Sequence, residues 1–188
     1  KNRAKAEHST ILDDLGLDEK GYAALTLHRP SNVDVASTFG RILDALEGIQ
    51  KELPVIFPIH PRTRKNIETL GLKDRVDAMT NLRLIEPAGY LDFLKLMDRA
   101  KLVLTDSGGI QEETTILQVP CLTLRENTER PVTVDRGSNR LLGTDPEAIA
   151  AAFRDVMDGN WRTSEVPPMW DGKAAGRICD VLEERFGG

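Results

Sequence analysis

The sequence predicts an α/β protein built on one doubly wound parallel sheet. Short apolar runs alternate with longer stretches of helical period along the whole chain. Strand–helix–strand crossovers of that kind give a parallel sheet covered on both faces. In addition, a glycine-bearing turn, Thr105-Asp106-Ser107-Gly108-Gly109-Ile110-Gln111-Glu112-Glu113, follows one apolar run and opens a helix. That is where such sheets place ligands.

The elements follow in order. Residues 1–15 read as an amphipathic helix, with Ala4, Ile11, Leu12 and Leu15 at helical spacing and Gly16 as its stop. No start signal precedes it, as if the chain were cut from something longer. Residues 22–27 form the first strand, ending in His28-Arg29-Pro30-Ser31-Asn32. Residues 35–53 form a helix whose stripe is Phe39, Ile42, Leu43, Leu46 and Ile49, stopped by Pro54. The second strand, 55–59, ends at His60-Pro61, and a short basic helix spans 63–70. The third strand is 82–85, the third helix 90–100, the fourth strand 102–104, and the glycine turn starts the fourth helix. Strands at 120–124 and 139–142 come next. Asp145-Pro146, a cap followed by proline at the first helical position, starts a helix to about 158. A polar stretch with prolines, 163–172, leads to a last helix over 174–185.

The chain is long enough for one domain with a good core. Its formal net charge of −5 gives no basic footprint for nucleic acid. No apolar run is long enough to cross a membrane, and Lys1-Asn2-Arg3 does not open a signal peptide. Cys121 in a core strand and Cys179 in a late helix read as two buried thiols of a cytoplasmic protein. No metal-ligand spacing links the cysteines and histidines, so neither a metal nor another cofactor is expected.

The glycine turn carries the chemistry. Ser107 stands at the N-cap position, where its hydroxyl accepts from an early helix N–H. Gly108 and Gly109 have no Cβ, so a ligand can approach the main chain. The first N–H groups lack intrahelical partners and sit at the positive end of the helix dipole, a place for phosphate. Glu112 and Glu113 lie four residues after Gly108 and Gly109. Each can lean over a bare glycine and accept from sugar hydroxyls, which suggests a nucleotide with its diphosphate on the helix end. Spacing alone does not choose between the two acids. The first strand lacks the G-x-G-x-x-G of dinucleotide sites, so NAD is not expected. In strand order 3-2-1-4-5-6 the first and fourth strands are neighbours, which brings His28 beside Ser107. Further on, Arg125 and Arg130 are candidate phosphate ligands, with Glu126 and Glu129 to orient or neutralise them.

Four segments, 105–113, 119–125 (Val-Pro-Cys-Leu-Thr-Leu-Arg), 128–131 (Thr-Glu-Arg-Pro) and 139–145 (Asn-Arg-Leu-Leu-Gly-Thr-Asp), together with the His28-Arg29 and His60-Pro61 strand ends, resemble the non-hydrolysing UDP-N-acetylglucosamine 2-epimerases. The resemblance covers essentially the whole chain. It implies the C-terminal, UDP-binding, Rossmann-like domain of a two-domain enzyme of GT-B type, spanning 1–188, with an N-terminal domain that this chain lacks. It implies that Ser107, Gly108 and Gly109 bind the diphosphate, that Glu113 rather than Glu112 holds the ribose, and that Phe93 lies by the uracil. His28 and Arg130 would sit near the phosphates, His28 with a role at the leaving group or the phosphates. Arg29 and His60 resemble residues that contact a second, activating UDP-GlcNAc. The family's reaction inverts C2 through elimination and re-addition of UDP, in cell-envelope polysaccharide biosynthesis, and its full-length members are expected to be homodimers. Its catalytic acids belong to the other domain, and none is assigned here. Many members read His-Arg-Arg-Glu-Asn where this chain has His28-Arg29-Pro30-Ser31-Asn32, which alters how that loop meets phosphates and activator. The competing readings are a hydrolysing epimerase that releases free ManNAc, the nucleotide-sugar half of a GT-B glycosyltransferase, and a non-catalytic binding domain. The Thr128–Pro131 segment favours epimerases over transferases.

Overall fold

A computed structural model describes residues 2–187. Six parallel strands form one sheet: β1 (Ala23–Thr26), β2 (Val55–Pro58), β3 (Leu82–Ile85), β4 (Leu102–Thr105), β5 (Cys121–Thr123) and β6 (Asn139–Leu141). Their order is β3-β2-β1-β4-β5-β6, as the doubly wound reading expects. The order reverses between β1 and β4, whose register pairs Ala23 with Leu102 and Thr26 with Thr105.

Successive residues of a strand point to opposite faces, and here they feed two cores. Ala23, Leu25, Leu102 and Leu104 join a cluster roofed by α4 (Ala36–Glu52) and α10 (Pro146–Met157). Ala24, Ile56 and Val103 join a second cluster with Leu94, Leu96 and Met97 of α7 (Tyr90–Arg99) and Leu117 of α8 (Gly108–Leu117). The α4 stripe is buried at all five expected positions. Each such side chain stabilises by roughly 1.5–3 kcal/mol relative to exposure. Tyr22, wholly buried, donates its hydroxyl hydrogen to the Leu96 carbonyl at 2.7 Å. Asp145 caps α10 as expected, accepting from Glu147 N at 3.1 Å.

Several elements differ from expectation. The first helix is two pieces, α1 (Asn2–Ala6) and α2 (Ile11–Leu15), with Gly16 as a left-handed cap at φ 60°. Lys1, the first residue of the expected helix, lies outside the described residues. The break falls at Ser9, whose hydroxyl donates to Asp92 Oδ1 of α7 at 2.6 Å, so a tertiary bond replaces helix continuity. Three short helices escaped the periodicity: α3 (Pro30–Val33), α6 (Lys73–Asp77) and α9 (Pro131–Asp135). The basic helix α5 begins two residues early, at Pro61, and ends at Thr69. Cys121 is buried, and burial pushes its thiol up to about 11. Cys179 contradicts the expectation of two buried thiols: it is exposed on α11 (Ala174–Phe186), which has no buried residue.

Candidate functional site

The site lies over the carboxyl ends of β1 and β4, at the crevice where the strand order reverses. The β1–β4 register, continued past the strand ends, puts residue 28 opposite residue 107, next to Asp106. Asp106 is fully buried, and it organises the crevice. Its carboxylate accepts from His28 N (3.2 and 3.1 Å), from Arg29 N (2.9 Å) and from Asn32 Nδ2 (3.4 Å). The His28 ring joins it through Nδ1, 3.0 Å from Asp106 Oδ1. That bond and the adjacent negative charge raise the histidine pKa, against opposing effects of partial burial and of Arg29. Asn32 also donates to the Leu124 carbonyl at 2.9 Å, tying the loop after β1 to β5.

Ser107 occupies the N-cap of α8 in an extended conformation, but its hydroxyl makes no capping bond, contrary to expectation. The Thr105 side chain accepts from Ser107 N at 3.0 Å, a bond that fixes the turn without capping the helix. Among the described residues nothing accepts from the N–H of Gly108 or Gly109. A capping serine would occupy the N–H of Gly109 or Ile110; here the Gly108 and Gly109 donors stay open at the positive end of a helix of 10 residues. A Cβ at Gly109 would meet no atom within 4 Å, whereas one at Gly108 would lie 3.8 Å from Glu129 Oε2.

The two acids of α8, equivalent by spacing, differ in the structure. Glu112 Oε1 lies 2.7 Å from Arg130 Nε. Glu113 instead accepts from the Tyr90 hydroxyl at 3.2 Å. Desolvation raises its pKa, with the Tyr90 bond opposing. Both acids, with Gly109, line one open cavity together with Ile116, Met169 and Trp170, of about 460 Å³. A second, of about 220 Å³, holds His28, His60 and Phe93 with Pro58 and Pro87. His60 caps α5, its Nδ1 accepting from Arg62 N at 3.2 Å. Arg29 points elsewhere: its Nε donates to the Asp106 carbonyl at 2.9 Å, and it lines a third cavity with Arg41 and Arg125. The structure therefore gathers His28, Phe93 and His60 in one cleft and Gly109, Glu112 and Glu113 in another, and it separates Arg29 from His60.

The charged loop after β5 is a set of fixed pairs. Arg125 grips Glu129 at 2.8 and 3.0 Å and holds that carboxyl down at about 2. Arg130, held by Glu112, is neither buried nor paired with Glu126 or Glu129. Its main chain is set by Thr128, whose hydroxyl accepts from Arg130 N (2.9 Å) and donates to the buried Gln111 (2.6 Å). Sequence reasoning passed over Asp106 and Tyr90. The first was within reach, because neighbouring β1 and β4 end side by side and place residue 106 opposite residue 27, one before His28. The second depends on how α7 packs against α8, which no local pattern encodes.

A sequence model of the UDP-N-acetylglucosamine 2-epimerase family matches residues 1–183. The UDP-N-acetylglucosamine 2-epimerase of Methanococcus maripaludis is 43% identical over 163 residues, covering 86% of this chain and 44% of its own length. A Pseudomonas aeruginosa UDP-2,3-diacetamido-2,3-dideoxy-D-glucuronate 2-epimerase is 39% identical over 172 residues, covering 87% of this chain and 45% of its own. The crystal structure of the Methanocaldococcus jannaschii UDP-GlcNAc 2-epimerase in complex with UDP-GlcNAc and UDP superposes with a TM-score of 0.83 at 39% identity, covering 97% of this chain and 51% of that one. The chain thus spans about half the length of the relatives it matches. On the family match and these identities, the chain belongs to the UDP-N-acetylglucosamine 2-epimerase family.

Proposed function

We propose that residues 1–188 are the UDP-binding, C-terminal half of an enzyme of GT-B type that interconverts UDP-GlcNAc and UDP-ManNAc by inversion at C2. The observation that carries this reading is the uncapped first turn of α8, with His28 tied to Asp106 just before that turn and Glu113 within its helix. The diphosphate sits on the Gly108 and Gly109 N–H groups with Ser107, and His28 and Arg130 add charge-assisted bonds. Glu113 accepts from the ribose, and Phe93 flanks the uracil. Arg29 and His60, on separate cavities, remain the candidate contacts of an activating second nucleotide.

In the reaction a base takes the C2 proton, the C2–H electron pair becomes the C1–C2 double bond, and the C1–O pair leaves with UDP. A proton then returns to the opposite face of C2 as UDP adds back to C1. This half contributes by stabilising that leaving group electrostatically. The base for C2 comes from the N-terminal half, which also completes the cleft. The chain alone therefore binds UDP without turning over UDP-GlcNAc. The full-length protein acts as a cytoplasmic homodimer. No described helix is long and apolar enough to cross a membrane, which suits that reading.

Incubating the full-length protein with UDP-GlcNAc in D2O tests it. UDP-ManNAc with deuterium at C2 is the expected product. Free ManNAc would make the protein a hydrolysing epimerase, and sugar transfer to an added acceptor would make it a glycosyltransferase. Because the Pseudomonas relative is named for a diacetamido-glucuronate, that nucleotide sugar belongs in the same assay.

A further inference from the structure

Asp106 has more to do than the loop geometry requires. Two backbone N–H groups and the Asn32 amide already satisfy its buried carboxylate and pin the turn after β1. The His28 ring is an additional partner, and it is bound by Nδ1 with half of its side chain open to the crevice. A carboxylate at Nδ1 fixes the ring's tautomer and orientation and leaves Nε2 for a ligand. Asp106, which holds the ring, directly precedes the Ser107 N-cap of α8, so His28 is tied to the turn that opens that helix.

We propose that Asp106 is a positioning residue: its buried carboxylate grips His28 by Nδ1 and thereby presents Nε2–H to the diphosphate of a nucleotide seated on the first turn of α8. This rests on the UDP reading above and deepens it. The pair makes His28 a cationic donor to the diphosphate over the pH range in which the ring is protonated. The donor also stays in place as negative charge builds on the departing UDP. The titratable groups around the ring are few. They are Asp106 from the β4–α8 turn, Arg29 next in the chain, and His60 at the head of α5 in the same cleft. Arg29 opposes protonation and Asp106 favours it, so Asp106 sets the sign.

The test is calorimetric titration of the chain with UDP and with uridine between about pH 6 and pH 9, using wild type, Asp106→Asn, His28→Gln and the double variant. Asparagine keeps an acceptor for the loop N–H groups and removes the charge. The terminal phosphate of UDP itself titrates near pH 6, but that contribution is common to all variants and cancels in their ratios. Wild type should bind UDP about tenfold more tightly with His28 protonated than with it neutral. Asp106→Asn should move that midpoint to lower pH and weaken UDP by about tenfold near neutrality, with uridine unchanged. In the His28→Gln background, Asp106→Asn should change UDP affinity by less than about twofold. An unmoved midpoint overturns the assignment, as does an equal loss with and without His28, or an equal loss for uridine. Should Asp106→Asn fail to fold, ring nitrogen chemical shifts of wild-type His28 decide. At high pH the proton must sit on Nδ1, and a neutral ring protonated at Nε2 overturns the assignment. Absence of UDP binding by wild type overturns the nucleotide reading itself. UDP binding with a profile that Asp106→Asn leaves unmoved overturns only the role given to Asp106.

Discussion

Replacing Gly109 with alanine should stabilise the protein and cripple its ligand site at the same time. Gly109 is the second residue of α8, its φ is not in the left-handed region, and an added Cβ would touch nothing within 4 Å. The fold therefore has no steric objection to a side chain there. Glycine to alanine at a compatible helical position gains about 0.5–1 kcal/mol, largely by narrowing the unfolded ensemble. For a chain of this size that raises Tm by about 1–4 °C. The same methyl group would occupy the space a phosphate needs above the open N–H groups. Losing one charge-assisted bond costs about 1.5–3 kcal/mol, so UDP affinity should fall by at least about tenfold. Gly109→Val, bulkier, should abolish UDP binding with the fold retained. Gly48→Ala is the control, since Gly48 lies in α4, equally free of neighbours and on a different element. It should show a similar gain in Tm without loss of affinity. Differential scanning calorimetry and titration with UDP read both quantities. Unchanged UDP affinity in Gly109→Ala would place the phosphate elsewhere and refute the reading of the uncapped turn as its seat.

Glu113→Ala should weaken UDP by roughly tenfold to a hundredfold and remove discrimination against 2′-deoxy- and 3′-deoxy-UDP. A variant that still discriminates like wild type would leave the ribose to another group. Arg130→Ala should weaken UDP much more than uridine, and equal weakening would mark Arg130 as structural through its tie to Glu112. His28 also predicts a sign for stability against pH. Its folded pKa is raised, so its increment is full below the unfolded value of about 6.5 and is lost as pH rises through the folded value. Tm of wild type minus Tm of His28→Gln should therefore fall over that window; a difference that grows would contradict the Asp106 pairing. Thiol labelling of the native protein followed by peptide mapping should modify exposed Cys179 and spare Cys121, whose thiol is buried and pushed up to about 11.

What the sequence made legible, and what it hid, divides by the range of the interaction. The α4 stripe, the strand runs and the Asp145-Pro146 start are local patterns, and each appears where its period or cap puts it. The glycine turn is also local, and it opens α8 as expected. The Ser9 break is not local, because a bond to Asp92 of α7 decides it. Helices α3 and α9 carried a signal in Pro30 and Pro131 at their first positions, but they are too short to show a period. The exposure of Cys179 follows from α11, whose Ile178, Val181 and Leu182 stand at helical spacing yet remain uncovered. Periodicity tells which face is apolar, not whether anything covers it. In the candidate site, spacing gave Glu112 and Glu113 equal claims, and only tertiary partners, Arg130 and Tyr90, set them apart.

The seam between β1 and β4 also governs how the protein can come into being. His28 and Asp106 stand 78 residues apart in sequence, and both β2 and β3 lie in between. Closing so long a loop is entropically slow, and a parallel pairing of this kind cannot be nucleated by a local hairpin. A nascent chain lacks the central seam of its sheet until β4 has been made, and no shorter fragment can carry the crevice. A ligand that needs both sides of that seam binds only the closed topology. It should therefore raise the melting temperature of the whole cooperative unit by mass action, rather than merely quieting a surface loop.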